Sequence, residues 1–104
     1  MAGKFDAYIL EVEGRFMVRP AVAAVEQAAV FKIRNLTGFD ATVDPDDAVK
    51  TGKVQIAAGG WGQFHVNPAA DGVYQYEVWL HLGDTDLRVN GESDPVIIID
   101  PPGN

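Results

Sequence analysis

The side chains best suited to chemistry are few. His65 and His81 are the only histidines, Ser93 is the only serine, and cysteine is absent. Without a thiol, a cysteine nucleophile, a disulfide and any metal–thiolate centre are excluded. A hydroxyl–imidazole–carboxylate set can be drawn from Ser93, His81 and Asp94, yet Ser93 directly precedes Asp94-Pro95, where a turn into a last strand accounts for it. Fifteen acidic residues offer many carboxylate pairs and no means of choosing two for glycoside chemistry. No phosphate-cradling glycine loop or dinucleotide fingerprint occurs. Asp40, Asp44, Asp46 and Asp47 form one group of acids, and Asp84, Asp86, Glu92 and Asp94 another, of the kind calcium takes from loops. Neither has EF-hand spacing, and acidic turns are ordinarily solvated. The expectation is a protein that is not an enzyme and carries no cofactor.

A different chemistry, recognition, is suggested by the aromatic residues. In Gly72-Val73-Tyr74-Gln75-Tyr76-Glu77-Val78-Trp79-Leu80-His81, strand alternation sends Tyr74, Tyr76, Val78 and Leu80 to one face and Gln75, Glu77, Trp79 and His81 to the other. The first set fills a core, so Trp79 is turned outward beside Glu77 and His81. Trp61 and His65 form a comparable outward set with Gln63, opposite Phe64 and Val66. Large aromatics next to charge are the usual material of binding hot spots. Either a partner covers Trp79, or the segment from Gly83 to Asp94 of the same chain does.

The elements that position these residues are short strands. At 104 residues and 47% apolar content, the chain is expected to fold as one domain over residues 1–104. Eleven glycines and six prolines punctuate stretches rich in Val, Ile, Phe and Tyr. Tyr8, Leu10 and Val12 fall on one side of a strand, and Phe16 and Val18 share a side between Arg15 and Arg19. The segment from Ala21 to Ala29 reads as extended around a Glu26-Gln27 turn, since Val22 and Val25 are weak helix formers and no N-cap precedes them. Phe31 and Ile33 alternate with Lys32 and Arg34. Ala41–Val43 and Lys53–Ile56 are two shorter strands around an Asp44-Pro45-Asp46-Asp47 turn. A polar stretch from Gly83 to Asp94 precedes Pro95–Ile99, which is apolar on both parities and suits a strand covered on both faces. Seven or eight strands in this length predict a two-sheet sandwich.

A formal charge of −7 opposes binding to phosphate backbones and anionic lipid, so neither nucleic acid nor a membrane is an expected partner. No apolar run reaches the roughly 20 residues of a spanning helix, and the first residues lack a signal peptide's apolar stretch. A soluble protein is expected.

Three segments together resemble the cupredoxin family, which includes plastocyanin and azurin. Val30-Phe31-Lys32-Ile33-Arg34-Asn35 is similar to the family strand that ends in Asn before the first copper histidine. Ile56-Ala57-Ala58-Gly59-Gly60-Trp61-Gly62-Gln63-Phe64 resembles its glycine-containing turn. Gly72-x-Tyr74-x-Tyr76-x-Val78-x-x-His81 is similar to Gly-x-Tyr-x-aromatic-x-Cys-x-x-His. The resemblance implies a single antiparallel Greek-key β-sandwich of cupredoxin-like topology. It matches the first copper histidine to Asp40 or its neighbourhood, the cysteine to Val78, the second histidine to His81 and the axial methionine to the vicinity of Asp86. One ligand of four is retained, so the resemblance implies the fold without the type 1 copper activity, and fold alone assigns no function.

The expected function is that of a non-catalytic interaction module. Its face would include Trp79, His81, Glu77, Trp61 and His65, and its partner would be another protein or a second copy in a homodimer. The alternative is a small-molecule or metal-binding protein using the pole that the resemblance builds from Asp40 and His81, with His65 if it reaches that pole.

Overall fold

Ten strands form where branched and aromatic residues alternate with polar ones: β1 (Ala7–Val12), β2 (Arg15–Arg19), β3 (Val22–Glu26), β4 (Val30–Asn35), β5 (Ala41–Pro45), β6 (Val54–Ile56), β7 (Trp61–His65), β8 (Gly72–Leu82), β9 (Thr85–Arg88) and β10 (Val96–Asp100). The structure is a computed structural model and describes residues 5–27, 29–89 and 94–100. No helix occurs among the described residues. One sheet has the order β2-β1-β4-β7, the other β3-β10-β8-β5-β6, with β9 beside β8. The architecture is the expected sandwich.

Most ladders are antiparallel, but β1 pairs with β4 and β3 with β10 in parallel. The cause lies at Pro20, whose missing N–H ends the β2 ladder. The chain then changes sheets as β3 and turns at Gln27, so β4 re-enters the first sheet alongside β1 in the same direction.

The core is built from the inward parity of both sheets. Ala7, Ile9, Val18, Phe31, Ile33 and Phe64 face Ala41, Val43, Ile56, Tyr76, Val78, Leu80, Ile97 and Ile99, all buried. At its centre the Phe31 ring lies 5.3 Å from Phe64 and meets Tyr76 edge-on at 5.6 Å. Such contacts add roughly 1 kcal/mol each beyond area burial. Asn35 is fully buried and fully used: its amide donates to Phe39 O at 2.7 Å and Ala57 O at 3.3 Å, and Oδ1 accepts from the backbone and hydroxyl of Thr37. Gly62 marks where β7 crosses β6, for a Cβ there would stand 2.8 Å from Ile56 Cγ1.

Three local expectations are corrected, and in β1 the structure decides which side faces the core. In β1 the core takes Ala7 and Ile9, while Tyr8, Leu10 and Val12 share the outward side. β5 runs through Asp44 and the buried Pro45, and the turn starts only at Asp46, whose Oδ1 accepts the Ala48 N–H at 2.9 Å. The polar stretch after Gly83 contains β9, which folds back on β8 through a tight Gly83-Asp84 turn. In β10, Ile97 and Ile99 are buried but Val96 and Ile98 only half-buried, so one face alone is fully covered.

Candidate functional site

The outer surface of the β3-β10-β8-β5-β6 sheet carries Glu77, Trp79 and His81 on β8, as alternation requires. Cross-strand register sets Thr42 opposite Trp79, Asp44 opposite Glu77, Arg88 opposite Trp79 and Asp86 opposite His81. His81 is held at both ring nitrogens, with Nε2 2.7 Å from Thr42 Oγ1 and Nδ1 2.8 Å from Asp86 Oδ1. Thr42 also donates to Gln55 Oε1 at 2.8 Å. The Trp79 indole donates to Glu77 Oε1 at 2.9 Å, and the Arg88 guanidinium lies 5.9 Å from its ring centroid. Arg88 in turn donates to both oxygens of Asp94 and lies 3.5 Å from Glu77 Oε2. The hydrogen bond to Asp94 is the main cause that raises the Arg88 pKa above its ordinary value. Thr42, Gln55, Glu77, Trp79, His81 and Asp86 line an open cavity of about 370 Å³ with Lys53 and Asp44.

Thr42, His81 and Asp86 thus align a hydroxyl, an imidazole and a carboxylate. The string lacks what acyl transfer needs next. Its strand, β5, is hydrogen-bonded along both edges by β6 and β8, so the N–H groups around Thr42 are committed to ladders and not directed at a developing oxyanion. Of the set Ser93, His81 and Asp94, Asp94 pairs with Arg88, His81 is bonded to Thr42 and Asp86, and Ser93 lies outside the described residues.

Trp61 and His65 lie elsewhere. They project from β7, on the outer surface of the opposite sheet, so the five expected interface residues are divided between two faces on opposite sides of the molecule. On the β7 side, register creates a lateral row across all four strands: Arg19 opposite Tyr8, Tyr8 beside Arg34, and Arg34 opposite Trp61. Phe5 closes over this row. Its ring lies 5.8 Å from Tyr8, 5.9 Å from Trp61 and 6.0 Å from the Arg34 guanidinium carbon. Trp61 remains 54% exposed, as does the neighbouring Leu36. Arg34 Nε is buried without a hydrogen-bond partner among the described residues.

The outward positions of this sheet are Tyr8, Leu10 and Val12 on β1, Arg15, Met17 and Arg19 on β2, Val30, Lys32 and Arg34 on β4, and Trp61, Gln63 and His65 on β7. None is acidic. Asp6, which precedes β1, accepts the Lys32 backbone N–H at 2.8 Å, and Glu11 on β1 is on the inward parity at the exposed end of the strand. Sequence reading noticed the alternation of these cations with apolar residues strand by strand, but missed Tyr8, Phe5, Arg19 and Arg34 as one surface. Only cross-strand register joins them, and the one local signal was the outward parity of Arg15, Arg19, Lys32 and Arg34.

Of the acidic residues named from sequence, Asp44, Asp46, Asp47 and Asp94 line one open groove, Asp86 faces His81, Asp40 is bonded elsewhere, and Glu92 lies outside the described residues. Asp40 Oδ1 accepts the Ala58 N–H at 3.0 Å, and only the Asp40 backbone carbonyl meets the His81 N–H. His65 lies on the other sheet. Among the described residues, no three or more His, Cys, Asp or Glu side chains are grouped to hold a metal.

The chain matches no protein-family model and no curated protein. Among solved structures it is similar to a novel purple cupredoxin from Nitrosopumilus maritimus, with a TM-score of 0.63 at 10% identity, covering 93% of this chain and 100% of that one. It is also similar to Lac15 from a marine microbial metagenome, with a TM-score of 0.50 at 19% identity over 93% of this chain and 31% of that one. Identities this low carry the fold and none of the chemistry. At three of the positions that the resemblance matched to copper ligands, the side chains are otherwise engaged. Val78 is an apolar side chain buried in the core, the Asp40 carboxylate is turned to Ala58, and both His81 nitrogens face Thr42 and Asp86. The architecture is that of a cupredoxin-like β-sandwich.

Proposed function

We propose that this protein is a non-catalytic interaction module, a cupredoxin-like sandwich without type 1 copper, that docks an acidic protein surface through the outer face of the β2-β1-β4-β7 sheet. One observation carries the reading. In a chain of net charge −7, the four strands of this sheet set Arg15, Arg19, Lys32 and Arg34 outward around Tyr8 and Trp61 with no outward carboxylate. An aromatic centre supplies contact area at low conformational cost, and a cationic rim steers an acidic partner and rejects basic ones. Trp61 is the anchor because it is exposed and its ring is braced by Phe5. Trp79 is the weaker candidate, since its indole N–H and one ring approach are already taken within the chain.

The reading is tested by calorimetric titration with a short peptide of alternating glutamate and phenylalanine. Trp61→Ala is expected to weaken binding by about 2 kcal/mol, roughly 30-fold, and Trp79→Ala to leave it unchanged. The absence of binding by the unmodified protein, or equal losses in both variants, removes the proposal.

A further inference from the structure

We propose that the acidic partner is the opposite face of a second copy of this chain, so that molecules associate head to tail; the inference rests on the docking face proposed above. The acidic surface has its own unresolved charge. Asp44 and Glu77 stand directly opposite each other on β5 and β8, both half-buried, and like charges in such a pair repel. Glu77 has Arg88 at 3.5 Å, but Arg88 is already committed to Asp94 through both of its oxygens. Asp44, Asp46, Asp47, Glu77 and Asp94 line one open groove of about 410 Å³. A cation entering there relieves the Asp44–Glu77 repulsion, and Arg15, Arg19, Lys32 and Arg34 present such cations on the far side of the sandwich.

Symmetry selects the arrangement. A two-fold contact sets a patch against itself, which brings cations to cations on one face or carboxylates to carboxylates on the other. Only the heterologous contact matches opposite charges, and it joins faces on opposite sides of a sandwich. Repetition of such a contact gives an open stack. Four strands of five or six residues present roughly 350 Å² in projection, below the roughly 800 Å² per partner of a stable complex. The association is therefore weak, dependent on concentration and sensitive to salt.

The test is sedimentation velocity on three proteins: the unmodified chain, a cation-face variant (Arg15→Gln, Arg19→Gln, Lys32→Gln) and an acid-face variant (Asp44→Asn, Asp47→Asn, Glu77→Gln). The unmodified chain is expected to grow in mean mass from roughly micromolar to roughly millimolar concentration and to revert to monomer in about 0.5 M salt. Each variant alone stays monomeric. Their mixture pairs the intact acidic face of one with the intact cationic face of the other, and stops at a one-to-one dimer. That rescue also certifies that both variants are folded. Either variant associating alone, or a mixture that stays monomeric while the unmodified chain associates, overturns the head-to-tail arrangement. A monomeric unmodified chain overturns self-association. If it still binds the glutamate–phenylalanine peptide, the docking face stands with a different protein partner, and if it does not, both proposals fail.

Discussion

The two outer faces of this sandwich use the same ingredients, one tryptophan, one histidine and several charges, to opposite ends. On the β8 side each group is satisfied within the chain: His81 by Thr42 and Asp86, Trp79 by Glu77 and Arg88, Arg88 by Asp94. On the β7 side Trp61 is half in solvent, and Arg34 lies against an aromatic ring with no carboxylate paired to it among the described residues. The difference teaches that a tryptophan on an outward parity is an uninformative sign by itself. What separates an anchor from a structural residue is whether its neighbours across the ladder have used its edge and face.

The comparison is broken most directly by exchanging the tryptophans. Trp61→Ala is expected to abolish most peptide binding while changing stability by under about 1 kcal/mol, because the ring leaves solvent-exposed surface behind. Trp79→Ala should do the reverse, costing about 2 kcal/mol in urea unfolding, since it strips Glu77 of its donor and Arg88 of its ring. Equal effects on both quantities would erase the distinction.

The interior between the faces gives a second handle. The Tyr76 hydroxyl is buried without a hydrogen-bond partner among the described residues, and burial, with a smaller contribution from Asp6, pushes its pKa well above the ordinary 10.0. The folded phenol keeps its proton where the unfolded one loses it. Its share of stability is therefore complete below pH 10 and is lost as pH rises further, by up to about 1.4 kcal/mol per pH unit. Tyr76→Phe should unfold with a shallower alkaline slope and be no less stable at pH 7.

Smaller effects sharpen the contrast. His81→Ala should cost about 1 kcal/mol by releasing Thr42 and Asp86, with no change in peptide affinity. Asp44→Asn should stabilise the isolated molecule by a few tenths of a kcal/mol at low salt, because it ends a like-charge cross-strand pair. Thermal melts in dilute protein, with and without added salt, measure both.

Much of the fold was legible in the chain. Gly, Pro, Asn and Asp marked several reversals, though Asp44-Pro45 proved to be strand, and alternation in Val30–Asn35, Trp61–His65 and Gly72–Leu82 gave three strands with the correct core faces. The core face of β1 was not legible because Ala7–Val12 is apolar on both parities, and the structure buries Ala7 and Ile9. β9 was hidden because Thr85–Arg88 is polar, and a strand whose side chains face solvent leaves little hydrophobic signal. The candidate site was half legible. Outward parity identified Trp61 and Trp79 alike, while the row Arg19–Tyr8–Arg34–Trp61 depends on register between strands separated in sequence, including one parallel pair. No local pattern encodes that.

Two tryptophans, one on each face, supply a built-in pair of reporters. The most direct test is a two-dimensional nitrogen–proton spectrum of dilute protein titrated with the glutamate–phenylalanine peptide, following the two indole N–H signals assigned through Trp61→Phe and Trp79→Phe. The Trp61 indole should move with saturable dependence on peptide while the Trp79 indole stays in place. Movement of the Trp79 signal alone, or of neither, would contradict the assignment of the docking face.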